Sequence, residues 1–501
     1  MGNLKQLASQ TFIYGLSSIV GRILNYLLVP LYTYYFTTAE YGVVVELYAY
    51  VSFLLILLTY GMETGFFNFS KISNDPAKVF CTASSALFST SALFIFVGLF
   101  FSENIAHWID YDDHVDFIKY FVLILGLDAF TSIPFAYLRQ QNQAIKFAVF
   151  KLIGIITQIF LNLFFIIWLP NLAQNYEIFS TIYSPNFGVG YIFISNLISS
   201  VITFILFLPI YLKTKFSFDW DLLKKMLLYS LPLVVSGLAG MINEFFDRLA
   251  IKFFYTVPDE IANPDLFIRS ELGIYGANTK IAVLMTLFIQ CFRYAADPFF
   301  FSQRDRKDFN ITFANINKYL WIFGLFIFIA IMGYLNIVKY FISDNYWDGL
   351  IVVPFLLIGH LLVGMVYLQS FWYKLNNKTV YGIYIFLAGC VVTILCNMIL
   401  VPLFGYIACA WSYVLCYLVM LIITFVWGRK YLPCQYDFKR MIVYTVVAML
   451  VYLVFVYTNE LQLTASLSIN TLLIIGFALL VLKMENLFQP LKNLFNKLLK
   501  R

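Results

Sequence analysis

Fourteen long apolar runs follow one another along this chain, and their length constrains the fold more than any other feature. A helix needs about 20 mainly apolar residues to cross the hydrocarbon core of a bilayer. The predicted spans cover residues 11–36, 41–66, 77–101, 115–138, 145–169, 187–212, 226–254, 270–301, 314–342, 350–372, 379–403, 406–428, 441–456 and 463–482. The sequence therefore predicts an all-α, polytopic membrane protein with about 14 transmembrane helices.

The composition supports this class and excludes a soluble one. Hydrophobic residues make up 61% of the chain and charged residues only 12%, which is too apolar for a surface in contact with water. A soluble chain of 501 residues would suggest about three domains. We expect instead one helical bundle with internal divisions.

Lysine and arginine collect in every second gap between the apolar runs. These basic gaps contain Lys71, Lys78, Arg139, Lys213, Lys215, Lys224, Lys225, Arg304, Arg306, Lys307, Lys374, Lys378, Arg429, Lys430, Lys439 and Arg440. The intervening gaps are mainly acidic, as at Asp112 and Glu260. Because cytoplasmic loops carry the excess of Lys and Arg, we expect the basic gaps and both termini in the cytoplasm. The net charge of +6 then reflects topology and indicates no nucleic-acid partner.

An internal repeat predicts the domain organisation. A shift of 235 residues aligns Asn142, Gly154 and Asn162 with Asn377, Gly389 and Asn397, and a shift of 231 aligns residues 40–43 with 271–274. Each half holds six predicted helices and starts in the cytoplasm, so the halves should be parallel repeats. The predicted domains are an N-terminal lobe at 1–212, a second lobe at 213–428, and a segment at 429–501. That last segment contains two additional helices and a basic amphipathic tail at 488–501.

Ionisable residues inside the predicted spans are candidates for function. Each costs about 2.5–3.5 kcal/mol at mid-helix on insertion scales, so such residues should face water, a partner or a substrate. Arg22, Asp128 and Lys280 have no opposite charge at helical spacing in their own helix. We therefore expect their partners on other helices, in water or on a substrate.

Other ionisable residues have a partner nearby in the sequence. Glu244 and Arg248 are four residues apart, as are Arg293 and Asp297, which makes ion pairing within one helix easy. For Arg248, Lys252 and Asp297 we expect either neutralisation or snorkelling to the interface.

The chain offers no sign of a nucleotide or metal site. It contains no GxxxxGK[ST] phosphate loop, which argues against ATP hydrolysis. Its seven cysteines show no CxxC spacing and are expected to be packing residues. We expect no metal and no cofactor other than a coupling ion, H⁺ or Na⁺. Asp128, Glu244 and Asp247 are the candidates to bind that ion, because buried carboxylates can load and release a proton.

Two stretches resemble the polysaccharide transporter family, which includes the O-antigen and related lipid-linked oligosaccharide flippases. The first comprises Asp247-Arg248, residues 271–275, Lys280-Ile281-Ala282 and Gln290. The second comprises Asn397, Pro402, Gly405, Ala408 and Ala410. Two departures from the family pattern are the long loop 257–269 and the larger residues Ile407 and Cys409.

The resemblance implies membership of the multidrug, oligosaccharidyl-lipid and polysaccharide exporter superfamily, with alternating access of two lobes around a cationic cavity. The expected substrate is a polyprenyl-pyrophosphate oligosaccharide used for a cell-surface polysaccharide such as lipopolysaccharide. Its phosphates would be bound by Arg22, Lys280 and Arg293, since Arg presents a planar fork and Lys a compact charge. The expected location is the bacterial cytoplasmic (inner) membrane, with membrane lipids and a polysaccharide polymerase as partners.

Two other functions compete with this expectation. An ion-coupled exporter of drugs or organic cations would need a cavity dominated by carboxylates, whereas the intramembrane candidates include at least as many cations. A membrane glycosyltransferase or sugar polymerase is indicated only by the D-x-D patterns at Asp110-Tyr111-Asp112 and Asp219-Trp220-Asp221. Such short acidic motifs are unspecific, and the outer loops are short for an active site, so we expect no enzymatic activity.

Overall fold

The computed structural model describes residues 15, 17–73, 75–214, 217–303 and 306–486, which are 87% helical and contain no strand. Residues 17–26 are helical. The helices after them are α1 (Leu28–Tyr35), α2 (Thr38–Thr59), α3 (Met62–Ile72), α4 (Pro76–Phe100), α5 (Ser102–Trp108), α6 (Val115–Gln140), α7 (Ala144–Leu163), α8 (Leu169–Asn175), α9 (Glu177–Ser180), α10 (Gly190–Lys213), α11 (Trp220–Phe254), α12 (Pro264–Ile281), α13 (Val283–Gln303), α14 (Phe309–Gly333), α15 (Leu335–Val338), α16 (Val353–Gln369), α17 (Phe371–Leu375), α18 (Val380–Phe404), α19 (Tyr406–Gly428), α20 (Phe438–Thr458) and α21 (Leu463–Met484).

Most of the predicted spans appear as helices long and apolar enough to cross a membrane. Within the described residues there are 12 such helices, or up to 13 if one bent pair is counted as a span. The first predicted span, 11–36, lies only partly within the described residues, and its described part is helical apart from a turn at Leu27 and a bend at Phe36. The predicted tail 488–501 lies outside them. The prediction of an all-α, polytopic membrane protein is confirmed.

One predicted span is wrong as a single straight helix. The predicted helix 270–301 is two helices, α12 and α13, which meet at Ala282 with a bend of 46°. The first of them begins at Pro264, inside the predicted loop 257–269. Neither proline nor glycine stands at the break, so the residues that usually mark a helix end gave no signal there.

Contacts divide the chain into two compact units, residues 1–276 and 277–501. In the first unit, α4, α6, α7 and α10 pack on one another, and α11 packs along α2, α3 and α4. A buried cluster that includes Met62, Phe66, Phe80 and Met226 fills the space between α3, α4 and α11. The lobes predicted at 1–212, 213–428 and 429–501 were defined by the sequence repeat and not by contacts, and they stay a prediction.

In the second unit, α16, α18 and α19 pack together, and α14 packs against both α16 and the hairpin of α20 and α21. Polar contacts fix this hairpin at both ends. At one end, Glu485 accepts hydrogen bonds from Lys318 (2.6 Å), Tyr444 (2.7 Å) and Arg440 (3.2 Å). At the other end, Asn470 donates to the Gly333 carbonyl at 2.8 Å. The two additional helices are therefore packed against α14 as part of this unit.

The repeat predicted at a shift of 235 is visible in local structure. Asn142 and Asn377 both adopt the left-handed conformation, with φ of 56° and 55°, which asparagine tolerates better than most residues. Asn162 and Asn397 are both buried, and each donates its amide to the carbonyl four residues earlier, at 2.7 and 2.8 Å. The turns before α7 and α18 therefore share a backbone conformation, and the aligned asparagines make the same local hydrogen bond.

Candidate functional site

A group of cations lies at the inner side of the first unit, where inner denotes the side predicted to be cytoplasmic and outer the opposite side. It comprises Arg22, Arg139 at the end of α6, and Lys151 on α7, with Glu63 on α3 as its carboxylate. Lys151 interacts electrostatically with the other three. Three cations against one carboxylate leave an excess of positive charge, so this basic cluster is suited to an anionic ligand.

Arg139 is held in the basic cluster by an ion pair and by aromatic rings. Its guanidinium pairs with the Glu63 carboxylate and lies over Phe67 at 5.1 Å and Phe147 at 5.8 Å. Its buried Nε makes no hydrogen bond within the described part of the chain. A buried donor without a partner is costly, so Arg139 keeps one N–H group whose hydrogen-bonding capacity is unused.

Lys151 is positioned from two sides. Its ammonium donates to Ser18 Oγ at 3.2 Å and lies over the Phe147 ring at 5.6 Å. Arg22 is exposed. Of these three cations only Arg22 was predicted from the sequence, because Arg139 was assigned to a loop and Lys151 lies close to a span end. The repeat could have drawn attention to Arg139, since the shift of 235 aligns it with Lys374.

The second unit also carries two cations close together on its inner side. Arg293 and Lys374 lie over the ring of Tyr367, at 4.3 and 4.4 Å from its centroid. The Tyr367 hydroxyl donates to the Asp297 carboxylate. Among the described residues, Arg293 and Asp297 do not form the expected ion pair. Tyr367 contacts both of them instead. Arg293 is exposed, so its guanidinium can reach a ligand.

Lys280 lies on α12, two residues before the break at Ala282, and is half-buried. Its role in substrate binding stays a prediction, as do those of Arg22 and Arg293. Arg22 belongs to the first compact unit and Lys280 to the second.

Asp128, the first candidate for ion coupling, lies on α6 and is half-buried. It accepts a hydrogen bond from the Ser200 hydroxyl on α10 at 2.8 Å. It takes part in none of the ion pairs found among the described residues. This agrees with the expectation that no cation of its own helix compensates it. Its role in coupling stays a prediction.

The other two carboxylates proposed for coupling, Glu244 and Asp247, precede Arg248 on α11. Arg248 pairs with Asp247 at 2.6 Å and donates to the backbone carbonyl of Glu244, also at 2.6 Å. The buried Asp247 also accepts a 2.5 Å hydrogen bond from Tyr275. The expected neutralisation of Arg248 therefore occurs, with Asp247 rather than the Glu244 carboxylate as the ion-pair partner that the structure gives it.

A buried network at the outer side was missed by sequence reasoning. Lys252 on α11 donates to Glu46 on α2 at 2.7 Å and to the Ile109 carbonyl at 2.6 Å. Tyr111 donates to the other Glu46 oxygen at 2.8 Å. Lys252 therefore neutralises a buried carboxylate instead of snorkelling. Its partner lies 206 residues away in the sequence, so no spacing rule could have indicated it.

Two glycines allow α2 and α12 to cross at close range on the outer side. A Cβ atom at Gly42 would lie 2.7 Å from the carbonyl carbon of Arg269, and one at Gly273 would lie 2.9 Å from the Gly42 nitrogen. Beside them, the Thr38 and Ser270 hydroxyls are 2.6 Å apart. The shift of 231 aligns Gly42 with Gly273, so the repeat contributes one glycine from each half. We call Gly42, Gly273, Thr38 and Ser270 the glycine clasp.

Neither D-x-D pattern lies in a cluster of possible metal ligands. The described residues contain no group of three or more His, Cys, Asp or Glu side chains able to hold a metal ion. Asp112 lies 3.1 Å from His107, and Asp219 forms an ion pair with Lys78 at 2.7 Å. Each of these two carboxylates therefore interacts with a side chain of the protein.

The apolar helices define a multi-pass membrane protein, and each of its two compact units carries a group of cations. The chain belongs to the family described as "Polysaccharide biosynthesis protein", whose sequence pattern matches residues 7–303. A search of curated proteins found no match to the chain.

Solved structures similar to this chain include a flippase and transporters. The lipid II flippase MurJ in an inward closed conformation has a TM-score of 0.72 at 14% identity, covering 94% of this chain and 99% of that one. An inward-facing multidrug resistance MATE family transporter of the MOP superfamily has a TM-score of 0.63 at 15% identity, covering 84% and 94%. A MOP superfamily transporter from Pyrococcus furiosus has a TM-score of 0.51 at 14% identity, covering 85% and 96%. At such identities the likeness establishes the fold alone.

Proposed function

We propose that this protein is a flippase that moves a polyprenyl-pyrophosphate oligosaccharide across the bacterial cytoplasmic (inner) membrane for the synthesis of a cell-surface polysaccharide. The family description supports the polysaccharide pathway. The observation that carries the substrate class is the basic cluster of Arg22, Arg139 and Lys151. A pyrophosphate has the negative charge and the acceptor oxygens that would balance this excess of cations.

The charge balance favours this substrate over an organic cation. The basic cluster has three cations and one carboxylate, and the group around Tyr367 has two cations and one carboxylate. An organic cation would be repelled by this excess of positive charge. Aromatic rings beside the cations, such as Phe147 and Tyr367, could also pack on sugar rings.

Alternating access supplies the transport mechanism in this proposal. The glycine clasp and the pair of Glu46 with Lys252 join the outer ends of α2, α11 and α12 within the first unit. The glycine clasp between α2 and α12 must separate for a substrate to leave on the outer side. The clasp consists of backbone contact and one hydroxyl pair, which allows it to separate without leaving a charge unpaired.

Coupling to H⁺ or Na⁺ would give the movement a direction. Asp128 is the best placed carboxylate, because its observed partner is the neutral Ser200 hydroxyl and not a cation. A proton or Na⁺ could therefore bind there without displacing an ion pair. Asp247, in contrast, is already neutralised by Arg248.

Both termini lie in the cytoplasm in this proposal. The partners of the protein are membrane lipids and a polysaccharide polymerase, and the protein itself catalyses no reaction. Cysteines introduced at Asp112 and Asn263 should react with impermeant reagents added from outside. Reaction only after the cytoplasmic face has been opened would contradict this topology.

Complementation tests the function. Strains lacking a defined flippase should regain surface glycan when they express the wild-type chain. Lipid-linked intermediates should then appear on the outer face of the cytoplasmic membrane. The double variant Arg22→Ala, Lys280→Ala should fail although it reaches the membrane. Lys225→Ala, which removes an exposed cation outside the basic cluster, is the matched control. Normal export by the double variant would contradict the proposed binding role.

A further inference from the structure

The carboxylate of the basic cluster, Glu63, contacts a cation that an anionic ligand would also need. Glu63 forms an ion pair with Arg139 and interacts electrostatically with Lys151. The side chains of Arg139 and Glu63 are 33% and 43% exposed, so water and small solutes can reach the pair. Glu63 therefore lies where a ligand of the basic cluster would approach Arg139.

A carboxylate and a phosphate bind a guanidinium through the same kind of contact. Both present oxygen acceptors to its N–H groups, and charge-assisted hydrogen bonds of this type are among the strong ones. An N–H group of Arg139 already donates to Glu63. A phosphate that binds the same N–H group must therefore displace the Glu63 carboxylate.

Arg139 has supports that do not depend on the Glu63 carboxylate. Its guanidinium lies over the rings of Phe67 and Phe147, at 5.1 and 5.8 Å from their centroids. It also belongs to the last turn of α6, where the free backbone carbonyls favour a positive charge. The guanidinium can therefore keep its place while its anionic partner is exchanged.

Glu63 also has a second source of stabilisation. Tyr60 and Gly61, with φ of 33° and 67°, separate α2 from α3, and Glu63 lies in the first turn of α3. The N-terminus of a helix favours a negative charge, and the N-cap residue Gly61 has no side chain to satisfy the free N–H groups there. A Glu63 carboxylate displaced from Arg139 is therefore still stabilised by its own helix.

The internal repeat places a carboxylate at the corresponding position of the second unit. Shifts of 234 and 235 residues align Glu63 with Asp297 and Arg139 with Lys374. Asp297 and Lys374 interact electrostatically, as their counterparts do in the first unit. Each half of the chain thus combines one acidic and one basic residue at the same two positions.

We propose that Glu63 is an internal competitor for phosphate binding at Arg139. It pairs with the guanidinium when the basic cluster is empty, and the pyrophosphate of the substrate displaces it. This inference rests on the proposed function, because it takes a pyrophosphate as the ligand of the basic cluster. The apparent affinity of a ligand falls with the fraction of sites that is competent to bind it. The competition therefore weakens pyrophosphate binding and favours release of the substrate.

Calorimetric titration of the purified full-length protein with inorganic pyrophosphate tests the competition. Glu63→Gln removes the charge and keeps the size of the side chain. It should bind pyrophosphate about two- to fivefold more tightly than the wild type, which is the range expected for a partly exposed ion pair. Glu103→Gln removes an exposed carboxylate of α5 and makes the same change in net charge, so it is the matched control and should bind as the wild type does.

Glu63→Asp separates competition at Arg139 from a general effect of charge. It keeps the negative charge but shortens the side chain by one methylene group, which weakens contact with the guanidinium. Its affinity for pyrophosphate should therefore lie between those of the wild type and Glu63→Gln. Wild-type affinity in Glu63→Asp, together with tighter binding by Glu63→Gln, would mean that net charge alone acts and would overturn the proposal.

The remaining outcomes distinguish this inference from the proposed function. Unchanged binding by Glu63→Gln would overturn the competitor role alone, provided that the wild type binds pyrophosphate. Weaker binding by Glu63→Gln would also overturn it, and would show that Glu63 positions Arg139 for the ligand. Binding to neither the wild type nor Glu63→Gln would contradict the proposed function itself, and the competitor role with it.

Discussion

Gly273→Ala should separate α2 from α12 at the glycine clasp. The new Cβ would lie 2.9 Å from the Gly42 nitrogen and closer still to the Thr38 carbonyl oxygen. All of these obstacles are backbone atoms, so no side chain can rotate away. Overpacking of this kind costs about 1–3 kcal/mol. A value of about 2 kcal/mol would shift the equilibrium between packed and separated helices about thirtyfold toward separation.

Disulfide trapping measures this shift. The Thr38 and Ser270 hydroxyl oxygens are 2.6 Å apart, so the sulfurs of cysteines at these positions would start close together, as disulfide formation requires. The pair Thr38→Cys, Ser270→Cys should cross-link rapidly, as shown by peptide mapping, and adding Gly273→Ala should slow the reaction markedly. Gly476→Ala is the control, because a Cβ there meets nothing within 4 Å. Equal cross-linking rates with and without Gly273→Ala would refute the clasp.

Three further predictions concern other parts of the chain. Glu485→Gln should destabilise the second unit by about 3 kcal/mol in thermal unfolding, because it leaves the ammonium of buried Lys318 without its nearest carboxylate. Burial alone raises the pKa of the Glu485 carboxyl, but hydrogen bonds from Lys318 and Tyr444 outweigh it and hold the pKa below the ordinary value of 4.5. The stabilisation of the fold by the Glu485 carboxylate is therefore fully present above pH 4.5 and is lost as the pH falls through its lowered pKa. If the Glu485→Gln variant lost as much stability over the same pH range, this role of the carboxylate would be contradicted. Burial raises the pKa of the Cys434 thiol to about 11. Maleimide should therefore label this thiol slowly at neutral pH and faster as the pH rises. Rapid labelling of the folded protein at neutral pH would show that the thiol is not buried. Asp128→Asn keeps an acceptor for Ser200 but cannot ionise. It should therefore abolish any response of transport to an imposed pH or Na⁺ gradient in proteoliposomes. An unchanged response would exclude Asp128 from coupling.

The apolar runs predicted the spanning helices well because hydrophobic length is a local property of the sequence. The break at Ala282 was not predictable in this way, since neither proline nor glycine marks it. Position relative to a span end was also misleading. By that criterion Lys151 was no candidate, although α7 places its side chain among Arg22, Arg139 and Glu63.

Contacts between distant residues explain what the sequence could not show. Glu46 and Lys252 pair across 206 residues, and Arg139 meets Glu63 across 76. The repeat did identify Gly42 with Gly273 as equivalent residues. Equivalence in a repeat does not imply contact, so the clasp appeared only in the structure.

Flipping by the purified protein tests the proposed substrate class most directly. Proteoliposomes would contain a fluorescent polyprenyl-pyrophosphate oligosaccharide, or a glycolipid with the same sugar and chain but no phosphate, and a membrane-impermeant quencher would report movement between leaflets. The wild type should flip the pyrophosphate lipid and not the neutral one. Arg22→Ala with Lys151→Ala should lose that activity, and Lys225→Ala should retain it. Equal flipping of both lipids by the wild type, or normal flipping by the double variant, would contradict the assignment of the basic cluster to a pyrophosphate.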